Sequence, residues 1–346
     1  MNVLNFRRLY MFAVRKQSDA YGDVSLSEVP IPTIKDDEIL MKVWAGGVCG
    51  SDLLIRENKH FFNAPVTLGH EFSGIAARVG KNVKKIKEGD KLVGDIETSS
   101  GWLGVSRDGA FAEYMAIPEA QAFKVPDKVS LDHACFAEPI VATIHSMQER
   151  NNVKAGDIVV IVGPGPMGIL GAQFAKIRGA KVVAVIGLKK DEKRLQIAKT
   201  AGADYILYSD EHPEKFIQEI SNGKGADFIL EASASATGVQ HAIDCARRSP
   251  EGRGGNGKIS FISLWGEPIT LTADAISLYQ LDIYGAWSWN GPETWERAVD
   301  LISMGVFNLD VLLTNRYSLD QWETAFSELK NGNDVKAFIH PNGQDW

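Results

Sequence analysis

The pattern of hydrophobic and polar positions divides the chain into two parts. Up to about residue 146, short apolar runs are broken by glycine and proline, which predicts β strands at 38–43, 72–79, 91–93 and 110–117. The apolar opening segment, up to Val14, predicts a first strand, because it is too short for a membrane span and lacks the cleavage site of a signal peptide. These features predict a barrel-like β domain with long connecting loops.

From about residue 151, strand and helix patterns alternate. A β-branched run at 157–162 precedes a helical pattern at 167–178 and a second strand at 181–186. The pattern continues with helix 191–201, strand 204–207, helix 212–220, strand 226–231, helix 235–248 and strands 257–262 and 281–286. This alternation predicts βαβ units that form a parallel sheet covered on both faces.

The alternation ends at about Trp287, and helices at 292–304 and 319–329 and a strand at 336–339 follow. We therefore predict that the tail packs onto the first domain. The predicted domains are 1–146 with 288–346, and 147–287, with a cleft between them.

Composition narrows the class of protein. The 346 residues suffice for two hydrophobic cores, and a net charge of -7 argues against nucleic-acid binding. No apolar run approaches the length of a membrane span. The three cysteines, Cys49, Cys135 and Cys245, are too few for a disulfide framework, which favours the reducing cytoplasm.

A glycine motif follows the first strand of the alternating part and opens its first helix. Gly163 allows a tight turn, Gly165 lets the backbone approach a pyrophosphate, and Gly168 lets the helix pack closely on the strand. Pro166 and Met167 begin the helix, whose N-terminus presents free N–H groups to phosphates. A glycine-rich turn without a ligand is the alternative, but the order strand, helix, strand favours a dinucleotide site.

The next strand should end in an acidic residue that binds the ribose of NAD. It ends instead at Gly187, and Asp191 comes several residues later. Lys189, Lys190 and Arg194 offer positive charge for a 2′-phosphate, although a surface lysine pair is usually only solvated. The sequence thus favours NADP over NAD.

Three segments of the first domain carry candidate metal ligands. They supply Cys49, the pair His70-Glu71, and Glu138. One thiolate, one imidazole and a carboxylate form an open catalytic zinc site, in which zinc acts as a Lewis acid on a carbonyl or alkoxide. Singly, Cys49 reads as a buried apolar residue, His70 as a core histidine and Glu71 as a surface carboxylate. Their occurrence together, upstream of a dinucleotide fold, favours the metal site.

The chain resembles the medium-chain zinc dehydrogenases, and among them the sorbitol and galactitol-phosphate dehydrogenase branch. The matching segments are GGVCGSD, LGHEFSG, EGDKLVGD, DGAFAEY, FAEPIVATIH and VGPGPMG, and the likeness continues to the closing LDQWETAFSELKNGNDVKAFIHP. The resemblance implies an α/β protein with a GroES-like β-barrel catalytic domain and a Rossmann domain with a doubly wound parallel sheet. It also implies hydride transfer between a polyol or sugar-type alcohol, or its ketone, and NAD(P).

The resemblance also implies roles for single residues. Cys49 and His70 match zinc ligands, and Glu138 stands where this branch has a carboxylate near the metal. Glu71 is the other candidate for the third ligand and could exchange with water there. Ser51 matches the hydroxyl that accepts the proton of the substrate alcohol.

Two departures from the family pattern change the expectations. Leu54 stands where many relatives have a proton-relaying histidine, which leaves the exit of the proton open. No cysteine occurs between Asp90 and Gly109, where many relatives bind a structural zinc. We therefore predict one zinc per chain, with Cys135 and Cys245 buried outside the site.

Several residues are weaker candidates for contacts with substrate or cofactor, each with a packing or surface role as the alternative. They are His145, Trp102, Arg107, Arg56 and Lys59, and the run Trp287, Ser288, Trp289 and Asn290. Strand 281–286 is a candidate edge for pairing in a homodimer or homotetramer, the usual assemblies of this branch.

Two other functions remain open. One is a threonine or simple secondary-alcohol dehydrogenase of the same superfamily. The other is a metal-free quinone reductase or nucleotide-binding protein, which the presence of Cys49, His70 and Glu71 disfavours.

Overall fold

The computed structural model describes residues 8–248, 255–271, 273–287 and 291–344. The chain forms two compact units, one of Met1–Glu138 with Leu313–Trp346 and one of Pro139–Leu312. The predicted boundaries, after residues 146 and 287, differ from these. Helix Pro292–Met304 falls in the second unit, because its apolar face, including Trp295 and Ala298, is buried there.

The first unit is rich in β structure, as predicted. Its strands are β1 (Tyr10–Lys16), β2 (Val24–Pro30), β3 (Glu38–Gly47), β4 (Val66–Thr67), β5 (Glu71–Val79), β6 (Lys91–Gly94), β7 (Glu97–Thr98), β8 (Gly101–Trp102), β9 (Tyr114–Pro118), β10 (Ala122–Lys124), β17 (Leu313–Ser318) and β18 (Lys336–His340). Its helices are α1 (Gly50–Arg56), α2 (Leu131–Ala134) and α10 (Trp322–Lys330), with α3 (Ala137–Ile144) crossing into the second unit. Short 3-10 turns at Glu119–Gln121 and Leu319–Gln321 complete it.

The largest sheet of the first unit brings both ends of the chain together. Its order is β10-β6-β5-β3-β18-β17, with β9 also paired to β3. A smaller sheet has the order β2-β1-β4. Apolar side chains form two core clusters: one, with Val14 and Phe111, joins residues of both sheets, and the other, with Met41 and Phe72, belongs to the large sheet and its loops.

The register of this sheet determines which residues meet at one end of it. β3 and β5 are antiparallel with Gly47 opposite Glu71, and β18 and β3 are antiparallel with Phe338 opposite Gly47. The end of β3 and the beginnings of β5 and β18 therefore lie together. Residues just beyond these strand ends are brought close, although they are far apart in the sequence.

The second unit has the predicted alternation of strands and helices. Its strands are β11 (Ile158–Val162), β12 (Val182–Gly187), β13 (Tyr205–Tyr208), β14 (Phe228–Glu231), β15 (Lys258–Phe261) and β16 (Asp282–Gly285). Its helices are α4 (Pro166–Ile177), α5 (Glu192–Thr200), α6 (Pro213–Ile220), α7 (Ala236–Cys245), α8 (Ala273–Leu278) and α9 (Pro292–Met304). A π-helical turn at His145–Glu149 and a 3-10 turn at Lys189–Asp191 complete it.

The sheet of the second unit has the order β13-β12-β11-β14-β15-β16, and every pair is parallel. The chain adds strands on one side of β11 and then on the other, which is the strand order of a doubly wound fold. Such folds bind ligands beyond the carboxyl ends of their strands. The predicted α/β class is confirmed.

Some predicted elements differ from the observed ones. The strand predicted at 110–117 begins only at Tyr114, because Ala110 and Phe111 form hydrogen bonds with the loop at Gly69 and Leu68 instead. Helix α7 ends at Cys245, three residues before the predicted end, and α8 was not predicted at all. Among the described residues, no helix is long and apolar enough to cross a membrane.

Candidate metal centre and nucleotide site

Cys49 lies directly before the first turn of α1, in the connection that leaves β3. The carboxylate of Asp52 accepts a hydrogen bond of 2.9 Å from the N–H of Cys49. Asp52 is fully buried, and it fixes the backbone at the helix start. The position of the Cys49 thiol is thus set by a local hydrogen bond within the sequence CGSD.

His70 lies directly before β5 and is 6% exposed. Its Nε2 atom lies 3.3 Å from Ser51 Oγ, and its Nδ1 atom lies 3.5 Å from Asp52 Oδ1. Burial lowers the pKa of His70, but the negative charges of Asp52 and Cys49 outweigh it and hold the pKa well above its ordinary value. Asp52 can therefore orient the ring through Nδ1 and leave Nε2 for a metal ion.

Glu71 is the first residue of β5, and its carboxylate forms an ion pair with the ammonium group of Lys336. Both side chains are 2% exposed. Lys336 also donates a hydrogen bond of 3.0 Å to the carbonyl oxygen of Val48. Burial lowers the pKa of Lys336, but the charge of Glu71 outweighs it and the pKa is raised. A side chain at Gly47 would overlap this pair, so the position requires glycine.

Cys49, His70 and Glu71 form one group whose ligand atoms all lie within 4.8 Å of one another. Glu138, at the start of α3, is not part of this group. The group nevertheless affects the pKa of Glu138. Burial raises this pKa to about 7, and the charge of Glu71 also raises it. The structure thus brings three of the four predicted ligands together.

The donor set suits zinc. Zinc takes thiolate, imidazole and carboxylate ligands at about 2.0–2.3 Å, which requires ligand atoms roughly 3–4 Å apart. The group needs only a small contraction to reach this geometry. Oε2 of Glu71 already pairs with Lys336, and Nδ1 of His70 faces Asp52 at 3.5 Å, so the thiol of Cys49 and Nε2 of His70 are the donor atoms best placed for a cation.

The glycine motif has the geometry of a phosphate-binding loop. Gly163 has a φ of 105°, and a side chain there would meet the backbone of Ala232. A side chain at Gly168 would overlap the carbonyl oxygen of Gly163, so the helix can approach the strand only with glycine. Gly165 precedes the helix start at Pro166, and open space surrounds its α-carbon. Met167 occupies the first turn, whose N–H groups are available to an anion.

The tip of β12 carries the predicted positive charges. Gly187 ends the strand under Pro164, which leaves no room for a side chain. Lys189 lies 3.1 Å from both Asp210 and Glu211, so its charge is already balanced. Lys190 is exposed.

Two further residues near this tip have different roles. Arg194 lies half-buried in α5, the helix that follows. The carboxylate of Asp191 accepts the N–H of Leu188 at 3.2 Å, which closes the turn. Asp191 therefore acts locally and is not placed at the strand tip as the NAD pattern requires.

The weaker candidates mostly have structural partners. Arg107 donates to Glu38 at 2.8 Å and to Ser100 at 3.0 Å. The Nδ1 atom of His145 lies 2.9 Å from a carboxylate oxygen of Glu149.

The remaining cationic and aromatic candidates also pack locally. Arg56 lies over the ring of Trp322, and Lys59 lies 3.5 Å from Glu57. Trp102 packs edge-on against Phe61, with ring centroids 4.7 Å apart. Trp287 is 44% exposed. Ser288, Trp289 and Asn290 lie outside the described residues.

Two residues that contact the candidate metal ligands were not predicted. Asp52 lies within the quoted motif CGSD, and its position three residues after a helix-capping residue is a signal for the hydrogen bond it accepts. Lys336 has no local signal, because only the pairing of β18 with β3 brings it to Glu71.

Two family models match the chain. The alcohol dehydrogenase GroES-like domain matches residues 35–127, and the zinc-binding dehydrogenase domain matches residues 166–304. The chain is 30% identical to a D-arabitol-phosphate dehydrogenase of Enterococcus avium, over 97% of this chain and 99% of the relative. It is 31% identical to a sorbitol dehydrogenase of Halalkalibacterium halodurans, over 96% and 99%.

A solved structure shows the same fold with a nucleotide. It is a protein of Sinorhizobium meliloti described as a zinc-binding dehydrogenase bound to NADP, with a TM-score of 0.86 and 28% identity. The similarity covers 96% of this chain and 100% of that chain.

Proposed function

The chain belongs to the family of medium-chain zinc-binding dehydrogenases, and we propose that it interconverts a polyol- or sugar-type secondary alcohol and the matching ketone, with NAD(P) as the hydride carrier. The observation that carries this proposal is the grouping of Cys49, His70 and Glu71 within 4.8 Å. The relatives named for arabitol phosphate and sorbitol support the substrate class.

Residues of the chain would hold zinc and prepare the substrate. Cys49 and His70 supply the thiolate and imidazole ligands, and Asp52 orients the imidazole through Nδ1. A bound zinc ion would supply Lewis-acid stabilisation of the alkoxide, and the nicotinamide would exchange the hydride. Ser51, whose hydroxyl lies 3.3 Å from His70 Nε2, would take up the proton of the substrate alcohol while its own hydroxyl proton passes to the nucleotide ribose or to water and on to solvent.

We propose Glu71 as the third ligand in preference to Glu138. Glu71 is part of the group of ligand atoms, whereas Glu138 lies outside it and has a pKa raised to about 7. Glu138, whose raised pKa lets it hold a proton more readily than an ordinary carboxyl, is suited to donate a hydrogen bond beside the group. Lys336 limits the charge that Glu71 can give to a metal, so its ion pair would tune the metal affinity.

We propose one zinc per chain and a preference for NADP. The group of Cys49, His70 and Glu71 is the candidate site found among the described residues. Cys135 and Cys245 are buried, and burial raises the pKa of both thiols. The exposed Lys190 and the absence of an acid at the end of β12 favour a 2′-phosphate.

The remaining proposals concern partners. The substrate is a small molecule, and neither a nucleic acid nor a membrane is proposed as a partner. We propose a cytoplasmic location, since Cys49 must stay reduced to bind metal. We also propose that the protein forms a homodimer or homotetramer. The edge strand β16 is the proposed site of pairing between copies.

The test combines metal analysis with a substrate screen. Cys49→Ala and His70→Ala should lose zinc and turnover while they still bind the nucleotide, and Cys245→Ala serves as the control for loss of a thiol. The screen compares polyols, their phosphates, threonine and simple secondary alcohols with NAD and with NADP. Turnover retained in zinc-free Cys49→Ala protein would overturn the proposal.

A further inference from the structure

A cavity lies in the unit of Pro139–Leu312, away from the glycine motif. It has a volume of about 640 Å³, and its lining carries five cationic side chains: Lys154, Lys224, Arg247, Arg248 and Lys258. Three carboxylates, Asp157, Asp227 and Asp282, also line it. The side chains around it therefore carry a net charge of +2 (five minus three), in a chain whose net charge is -7.

The cavity lies at the amino ends of the parallel strands. Asp157 directly precedes β11, Asp227 directly precedes β14, and Lys258 and Asp282 are the first residues of β15 and β16. Gly163 follows the opposite end of β11. Five residues at about 3.3 Å each put the glycine motif about 17 Å away, so the cavity is separate from the predicted pyrophosphate site.

The carboxylates of the cavity are largely engaged by the protein. Asp227 accepts the N–H of Ile158 at 2.9 Å and forms an ion pair with Arg247. Asp157 accepts the N–H of Lys154 at 2.8 Å. Burial raises the pKa of Asp157, and the charge of Asp227 raises it further, against the N–H of Lys154 and the charges of Lys154 and Lys258, which lower it.

The lysines form no close ion pair. Within the described part of the chain, no hydrogen bond or close ion pair is found for the ammonium groups of Lys154, Lys224 and Lys258. The charges of Lys154 and Lys258 act on Asp157 from a longer distance, where they lower its pKa. Lys258 is half-buried, so its ammonium group loses part of its hydration.

Arg248 also lines the cavity. Its guanidinium lies over the ring of Tyr279, 4.8 Å from the centroid. It also donates to the Tyr279 hydroxyl at 3.2 Å and to the carbonyl oxygen of Asp244 at 2.5 Å.

We propose that this cavity binds a phosphate chain, either a free pyrophosphate or the diphosphate of a nucleotide. Three ammonium groups without a close ion pair, beside the guanidinium groups of Arg247 and Arg248, suit a compact polyanion with several acceptor oxygens. A monovalent anion would leave half of the net charge of +2 unbalanced. The volume is sufficient for a nucleoside diphosphate as well as for pyrophosphate alone.

The test is isothermal titration calorimetry of the full chain saturated with NADP. Pyrophosphate should bind with one site per chain, and sulfate should bind more weakly. Lys258→Gln should weaken pyrophosphate binding about tenfold and Lys224→Gln about threefold, because the first charge is half-buried and the second exposed. Lys215→Gln, an exposed lysine of α6 outside the cavity, is the control and should bind as the parent does.

Further arms identify the ligand and the site. Adenosine diphosphate that binds more tightly than pyrophosphate would assign a nucleotide, and equal affinity would assign the phosphate chain alone. Both outcomes support the proposal. Pyrophosphate binding that is found without NADP and lost in the NADP-saturated chain, no saturable binding at millimolar concentrations, or unchanged binding in the Lys154→Gln/Lys224→Gln/Lys258→Gln protein would overturn it. None of these results depends on the dehydrogenase activity.

Discussion

The carboxylate of Glu71 and the ammonium group of Lys336 form an ion pair that is almost fully buried, with both side chains 2% exposed. Glu71 is the first residue of β5, and Lys336 is the first residue of β18. Glu71 is also a candidate metal ligand. The same ion pair therefore bears on the stability of the sheet and on metal binding.

Loss of the lysine charge should therefore affect both stability and zinc binding. In Lys336→Met the Glu71 carboxylate stays buried without its partner, and we expect a loss of about 3 kcal/mol in the free energy of unfolding of the zinc-free protein. Zinc should recover part of this loss, because it supplies the missing positive charge. Urea unfolding with and without zinc measures both effects.

Lys336→Arg is the matched control, since it keeps the charge in a longer side chain. It should lose clearly less stability than Lys336→Met and should retain zinc. Equal unfolding free energies for Lys336→Met and the parent protein would show that the ion pair does not hold Glu71.

The sequence predicted the parts of the site that lie in local motifs. Cys49 and His70 stand next to strand ends within short segments, and the turn at Gly163 requires glycine for steric reasons. The contact of Lys336 with Glu71 spans the length of the chain and depends on strand register, which no local pattern encodes. The position of α9 was also not predictable, because its amphipathic face fits either unit until the packing is known.

Alanine variants of two glycines in the glycine motif should differ in their effects: one should impair nucleotide binding and the other should lower the stability. An alanine at Gly165 has open space around it and an ordinary backbone conformation, so the fold should be unchanged. Its methyl group should still obstruct the pyrophosphate and weaken nucleotide binding at least about tenfold. An alanine at Gly168 overlaps the Gly163 carbonyl oxygen and should lower the stability itself.

Thermal unfolding and fluorescence titration with NADPH distinguish the two variants. Gly165→Ala should unfold at the temperature of the parent protein, and Gly168→Ala at a clearly lower one. If Gly165→Ala binds NADPH as tightly as the parent, the loop does not carry the pyrophosphate.

A buried carboxyl should make stability depend on pH. Burial raises the pKa of Asp95 to about 6, and Asp95 is 4% exposed. The folded state then holds a proton that the unfolded state releases near pH 4, so this contribution to stability is present below pH 4 and is lost as the pH rises to about 6. Asp95→Asn should remove the loss, because an amide does not ionise and still accepts the N–H of Glu97.

Unfolding in urea at pH 4.5 and pH 7.5 measures this effect. The stability of Asp95→Asn relative to the parent protein should increase by roughly 2 kcal/mol between the two values. A constant difference between the two proteins would contradict a raised pKa in the folded state.

Ser51 should affect turnover without affecting the metal. Its hydroxyl lies 3.3 Å from His70 Nε2, but it is not part of the group of candidate ligands. Ser51→Ala should lower kcat by about a hundredfold or more, because the alcohol loses its proton acceptor, while the zinc content stays that of the parent. Ser51→Thr keeps the hydroxyl and should restore much of the rate. Loss of zinc in Ser51→Ala would instead assign Ser51 to the metal centre.

Lys190 and Lys189 should differ in their effect on the choice of nucleotide. Lys189 is balanced by Asp210 and Glu211, whereas Lys190 is exposed and has no ion pair among the described residues. A 2′-phosphate would therefore gain more from Lys190, and Lys190→Gln should weaken NADPH binding about fivefold while NADH binding stays nearly constant. The change in the logarithm of the NADPH affinity should be less than half as large in Lys189→Gln as in Lys190→Gln. Fluorescence titration of both variants with NADPH and with NADH measures these affinities. An equal loss of affinity for NADPH and NADH in Lys190→Gln would rule out a specific contact with the 2′-phosphate.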